Sequence, residues 1–235
     1  MPAPDLKTLI RAQTALITPP LTPELRMRGA TPETPLWRAG DAELAALALD
    51  PPFWAFPWAG GQAMARFILD APERVEGASI LVVAAGAGLE AIAAARAGAR
   101  RVVANDVDPA ACAAAEINAE INGVRLETDP ADLTLSAAAP PDGMGSADVI
   151  LVADALYDSA PSAALLRLAE RAAREGATVL IADAGRGAGP LDGVTELTRL
   201  RVPTTLFPGA AGAMDALTWE DGPSRDVAIY EMDRA

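Results

Sequence analysis

The chain has 235 residues, 51% of them hydrophobic, and a formal net charge of -13. That length suits one α/β domain with an arm, and no run approaches the ~18 uninterrupted apolar residues of a membrane span. There is no histidine, one cysteine (Cys112) and one lysine (Lys7), which excludes Ser-His-Asp and Cys-His catalysis, histidine-ligated zinc, a core Schiff-base lysine, a GxxxxGK[ST] phosphate loop and an internal disulfide framework.

In chain order, residues 1–50 are punctuated by Pro2, Pro4, Pro19, Pro20, Pro23, Pro32 and Pro35. They read as an arm that packs over a main domain of residues 51–235. Leu6, Leu9, Ile10, Leu16 and Ile17 give Asp5–Ile17 a helical spacing, and the prolines beyond stop the helix. The opening MPAPDLK lacks a basic-then-apolar secretory pattern, so the expected location is the cytoplasm. Next comes Pro52-Phe-Trp-Ala-Phe-Pro-Trp-Ala-Gly-Gly-Gln62, which carries four aromatics in a chain with 4% aromatic residues. Such a run suggests a wall or lid over a ligand, or else a staple tying the arm to the core.

Helices and strands then alternate, the pattern of a parallel sheet with crossovers. Gly60 to Ala71 is a predicted helix and Ser79 to Ala84 a strand. The helix Leu89–Ala97, the strand Arg101–Asn105 and the helix Pro109–Asn122 follow. Short and long strands are expected at Val124–Glu127 and Asp148–Ala153. After the helix Ser162–Arg174 comes the strand Ala177–Ala182, and Arg199–Val202 with Asp226–Tyr230 form an antiparallel closing pair. The sum is a Rossmann-like, seven-stranded sheet, mostly parallel, with an antiparallel last strand.

In such a sheet, ligands bind outside the carboxyl ends of the strands where strand order reverses. That rule selects residues 85–88, Asp106, Asp132, Asp154 and Asp183. In Ala84-Ala-Gly-Ala-Gly88, small residues let a ligand lie against the backbone, and the following helix offers unpaired N–H groups. Asp106 ends the second strand twenty residues after Gly86, the spacing at which a carboxylate accepts hydrogen bonds from ribose hydroxyls. These features alone fit a dinucleotide and S-adenosylmethionine equally. Common dehydrogenases need a proton relay from histidine, a tyrosine/lysine pair or zinc, and the residues for it are missing. Methyl transfer asks mainly for an aligned lone pair and exclusion of water. In Asp154-Ala-Leu-Tyr157, a carboxylate positioned to hold a substrate ammonium precedes a tyrosine able to wall the methyl channel. The alternative is a helix-capping aspartate and a core tyrosine.

The runs PPFWAFPWAGGQAMARFILD, ILVVAAGAGLEAIAAARAGARRVVANDVDP and DALYD, with the upstream PELRMRGATPETPLW, resemble the electron transfer flavoprotein β-subunit lysine methyltransferases and their bacterial relatives, over roughly residues 20–190. The resemblance implies a class I, S-adenosylmethionine-dependent protein-lysine N-methyltransferase with no metal. It places Trp58, Gly60, Gly61 and Gln62 around the cofactor, Gly86 and Gly88 beside its methionine part, Asp106 at the ribose and Asp132 near the adenine. Asp154 and Tyr157 would position the lysine, and Asp183-Ala-Gly-Arg186 would belong to the substrate rim. The implied partner is a basic, lysine-bearing loop of the flavoprotein β subunit, which the acidic charge suits; nucleic acid and membrane are not expected partners. The alternatives are a ribosomal-protein or nicotinamide-like small-molecule N-methyltransferase, or a non-catalytic binding module. The family usually has aspartate where this chain has Val82 and glycine where it has Ala84, and that aspartate helps organise the glycine turn.

Overall fold

The computed structural model describes residues 5–134, 147–157, 159–187, 189, 191–205 and 222–234, with the backbone alone at 159 and 160. Seven strands, β3 (Ser79–Val83), β4 (Arg101–Asn105), β5 (Glu127–Asp129), β6 (Val149–Ala153), β7 (Thr178–Asp183), β8 (Val194–Pro203) and β9 (Ser224–Met232), form one sheet in the order β5-β4-β3-β6-β7-β9-β8. The first five are mutually parallel, and β9 runs antiparallel between β7 and β8. This is the class I methyltransferase architecture, with its antiparallel penultimate position filled by the last strand of the chain.

The central strands are apolar throughout because both sheet faces are covered. Ile80 and Val82 join a core cluster on one face with α4 (Ala59–Asp70) and α5 (Leu89–Arg96), while Leu81 and Val83 join a second cluster with α7 (Ser159–Arg174). Alanine dominates α5 and α6 (Pro109–Ile121), so these helices approach their neighbours closely.

Two details differ from the sequence expectation. The first helix, α1 (Leu6–Gln13), is shorter, because Thr14 turns to extended geometry and Ala15–Ile17 (β1) pairs antiparallel with Met27–Gly29 (β2). The apolar residues Leu16 and Ile17 therefore belong to a hairpin, held where the Arg28 Nε donates to the Thr14 hydroxyl at 3.0 Å. The third strand of the sheet begins at Glu127 rather than Val124. Gly123 takes a left-handed conformation, and Val124 N–H donates back to Ala119 C=O at 3.1 Å, so these residues still close α6.

The arm also holds α2 (Pro35–Arg38) and α3 (Asp41–Ala46), and a short 3-10 turn at Phe53–Ala55 leads into α4. Leu9, Ile10, Leu36, Leu49 and Trp54 pack with Ala110, Ala114 and Ile117 of α6. Asn118, fully buried on α6, ties three segments together. Its Oδ1 accepts from Arg28 N–H at 2.7 Å, and its Nδ2 donates to Ala87 C=O at 3.0 Å. One side chain thus fixes the arm hairpin against the turn that follows β3.

That turn ends at Gly88, the N-cap of α5, at φ +76°. A Cβ built there would lie 2.9 Å from Ala115 Cβ and 3.3 Å from its Cα. Gly88→Ala combines left-handed strain with overpacking of α5 against α6. Its expected cost is about 2–4 kcal/mol, read as a lowered urea midpoint with unchanged m-value. An unchanged midpoint contradicts this packing.

Candidate active site

Chain order reverses between β3 and β6, so their carboxyl ends open a crevice. A cleft open to solvent lies there. The backbone of Ala84–Ala87 floors it, Phe56 and Trp58 wall it on one side, Met27 of the arm reaches it, and Glu90 and Asp154 line it. Ala84 and Asp154, each the first residue past its strand, have φ of +54° and +51°. Left-handed geometry costs roughly 1–2 kcal/mol in a non-glycine residue, and two such positions side by side at a crevice mark a functional edge.

Asp154 is held firmly. Its Oδ2 accepts from Gly60 N–H and from Gly61 N–H (3.3 Å), and its Oδ1 accepts from Arg186 Nε at 2.9 Å. The carboxylate therefore sits at the N-terminus of α4, where the helix dipole and unpaired amides favour an anion. Gly60 is glycine for a packing reason: a Cβ there would come within 2.7 Å of the Asp154 Cγ. The side chain of Asp154 is 9% exposed. Arg186, past β7, also lies over the Trp58 ring, 5.2 Å from its centre. The Trp58 ring is fixed in turn by Nε1–H donating to Phe53 C=O at 2.7 Å. A cation held between a carboxylate and an indole face is the outcome of this corner.

Asp106 closes the other side of the glycine turn. Its Oδ2 accepts from Gly86 N–H at 2.8 Å and its Oδ1 from Asp108 N–H at 3.0 Å. Burial pushes this carboxyl above the usual aspartate range, against the pull of those two amides. Val82 lies fully buried among apolar side chains. The carboxylate bonded to this turn is therefore that of Asp106, from the neighbouring strand.

The other residues singled out in the sequence are distributed differently. Trp58, Gly61, Ala84, Gly86 and Asp154 line the cleft. Gln62 is a buried strut, donating to Pro57 C=O at 2.7 Å and accepting from Leu21 N–H at 3.1 Å, so it ties the arm to the aromatic segment. Gly88 faces α6. Asp132 is exposed in the loop after β5, its Oδ1 accepting from Thr134 N–H and hydroxyl at 2.9 and 2.6 Å. Tyr157 is 57% exposed beyond the cleft lining, and Asp158, which ends DALYD, lies outside the described residues.

Glu90 is the site residue that sequence reasoning passed over. It sits in the first turn of α5, 4% exposed, among residues 89–94 that are all buried. Burial, with the charges of Asp154 and Asp106 added, raises its carboxyl from 4.5 to about 8. The available signal was a lone acid inside Leu89-Glu-Ala-Ile-Ala-Ala-Ala95, an otherwise apolar run.

The residues suit a sulfonium nucleoside with an amino-acid tail. A floor of small residues admits close approach, aromatic and aliphatic walls take an apolar body, the carboxyls suit its cations, and the N-terminus of α5 suits its carboxylate. Among the described residues, no group of three or more acidic or cysteine side chains could hold a metal ion. No helix among them is long and apolar enough to cross a membrane.

Comparison with known proteins agrees with this geometry. The family model for ribosomal protein L11 methyltransferase (PrmA) matches residues 46–189. The electron transfer flavoprotein beta subunit lysine methyltransferase of Xenopus laevis is 37% identical over 181 residues, covering 77% of this chain and 70% of that protein. The Mus musculus protein of the same name is 36% identical over 186 residues, covering 78% and 69%. Among solved structures, the branched-chain polyamine synthase of Thermus thermophilus aligns with TM-score 0.51 at 16% identity, covering 74% of this chain and 55% of that one. At that identity the likeness concerns the fold.

Proposed function

Because the chain belongs to the electron transfer flavoprotein β-subunit lysine methyltransferase family of class I methyltransferases, we propose that it transfers a methyl group from S-adenosylmethionine to a lysine of an electron transfer flavoprotein β subunit. The observation that carries the reading is the corner made by Asp154 and Trp58 at the edge of the cleft. It already holds one guanidinium, and the same chemistry suits the ammonium of an incoming lysine.

When bound, S-adenosylmethionine supplies a methyl group on a sulfonium, an electrophile that needs only an aligned lone pair and little water. Asp106 would hold the ribose, its carboxylate already fixed by two amides with lone pairs to spare. The turn at Ala84–Gly88 would take the methionine part. Asp154 would orient the lysine Nζ, and Tyr157 and Trp58 would shield it from water. A lysine entering this aromatic corner is desolvated, which favours its neutral, nucleophilic form.

The acid-rich surface suits a basic substrate loop, with a charge of -13 to steer it. The test offers purified flavoprotein β subunit, ribosomal protein L11 and nicotinamide with methyl-labelled cofactor, followed by mass mapping of the product. The expected outcome is label on a single lysine-bearing peptide of the β subunit. Label confined to L11 or nicotinamide overturns the substrate, and label on none of them overturns the reaction.

A further inference from the structure

Glu90 does not take part in the chemistry just described, yet it is the most deeply buried carboxyl of the cleft. Burial disfavours its charge, against the pull of its own backbone amide. The first turn of α4 lies against it, since a Cβ on Gly61 would stand 3.5 Å from Glu90 Oε2. Phe56, Trp58 and Met27 bring no titratable group to the cleft. Among the described residues, the charged groups that act on it are Asp154 past β6 and Asp106 past β4, and Asp154 is bridged in turn to Arg186 past β7.

Resting on the methyltransferase reading, we infer that Glu90 is a specificity-determining residue that binds the sulfonium end of S-adenosylmethionine and distinguishes the charged cofactor from its neutral thioether product. A sulfonium has no N–H to donate, so it does not call for a cage of acceptors. A single buried negative charge serves it best, in a site of low dielectric. Without ligand, that charge is disfavoured by burial and by two neighbouring aspartates, and the carboxyl keeps its proton near neutral pH. A cationic ligand stabilises the ionised form. By linkage, S-adenosylmethionine binding then expels a proton below about pH 8, and its affinity climbs with pH up to that value. S-adenosylhomocysteine carries no sulfonium and leaves the proton in place. After transfer, Glu90 takes a proton back, because the neutral thioether no longer stabilises its ionised form. The α-ammonium is common to both ligands and cancels from the comparison.

The test is calorimetric titration of the intact protein with each ligand at about pH 7, in two buffers of different ionisation enthalpy. The wild type is expected to release on the order of one proton with S-adenosylmethionine and near none with S-adenosylhomocysteine. In Glu90→Gln, the difference disappears, and affinity for S-adenosylmethionine falls about tenfold while that for the product moves less than about twofold. Equal proton release by the two ligands in the wild type, which needs no variant, overturns the proposal while leaving the methyltransferase reading standing. So does a glutamine variant, shown folded by its product affinity, that keeps the wild-type ratio of the two affinities. Failure of the wild type to bind either ligand removes both.

Discussion

Asp154→Asn is expected to lower methyl-transfer turnover by about 100-fold or more while leaving S-adenosylhomocysteine affinity within about threefold. Asparagine keeps an oxygen for the amides of Gly60 and Gly61 but gives up the charge that faces Arg186 and would orient the substrate ammonium. Asp154→Ala removes more. It also leaves the first-turn amides of α4 without their acceptor, a loss of about 1–3 kcal/mol beyond the charge opposite Arg186 that both variants give up. The alanine variant is therefore expected to lose stability and cofactor affinity together with turnover, because α4 and Trp58 wall the cleft. The asparagine variant isolates the catalytic share. Single-turnover rates, product titrations and urea unfolding on both variants separate the effects. Near-wild-type turnover in the asparagine variant removes Asp154 from the reaction and leaves it as the anchor of α4.

The difference between those variants shows what could be read without coordinates. Asp154 was legible as a cleft residue because an apolar strand stops at it, and strand ends at a sheet's reversal point are where ligands bind. The same logic located Gly86 and Asp106, whose amide and carboxylate meet at 2.8 Å. The succession of strands and helices along the chain followed from alternating helical and extended periods, with the start of β5 displaced only because a Gly123 turn prolonged α6.

The contacts of Asp154 were not legible, since its partners lie 94 and 32 residues away in sequence and meet it only through the sheet. The family resemblance placed Gln62 and Gly88 beside the cofactor, and packing turns one toward the arm and the other toward α6, contacts that no motif announces. Glu90 escaped because a helical pattern counts apolar faces, and α5 is buried on every side of its first turns. The arm hairpin escaped because three-residue strands carry too little periodicity to outweigh a helical start.

Asp106→Ala is expected to weaken S-adenosylhomocysteine binding by about 100-fold, the largest loss of affinity of any single change in the cleft. Two contributions combine. The variant removes the acceptor of any ribose hydroxyl, worth about 1.5–3 kcal/mol for each bond to a charged group. It also frees Gly86 N–H and Asp108 N–H, so the glycine turn loses the carboxylate to which it is bonded. Asparagine does not repair this. Both carboxylate oxygens accept from backbone amides, and the side-chain nitrogen introduced by Asp106→Asn would set a donor against one of those donors. The Asp106→Asn variant is therefore expected to fall near alanine, unlike the asparagine variant at Asp154, whose neutral oxygen can still serve α4. Binding is read by calorimetry against S-adenosylhomocysteine, with adenosine as a second ligand that keeps the ribose and lacks the methionine part. If Asp106 grips the ribose, adenosine and S-adenosylhomocysteine lose affinity by the same factor. If it acts only through the turn, the longer ligand loses affinity and adenosine changes little. Binding of both ligands within about threefold of wild type removes Asp106 from the cofactor site.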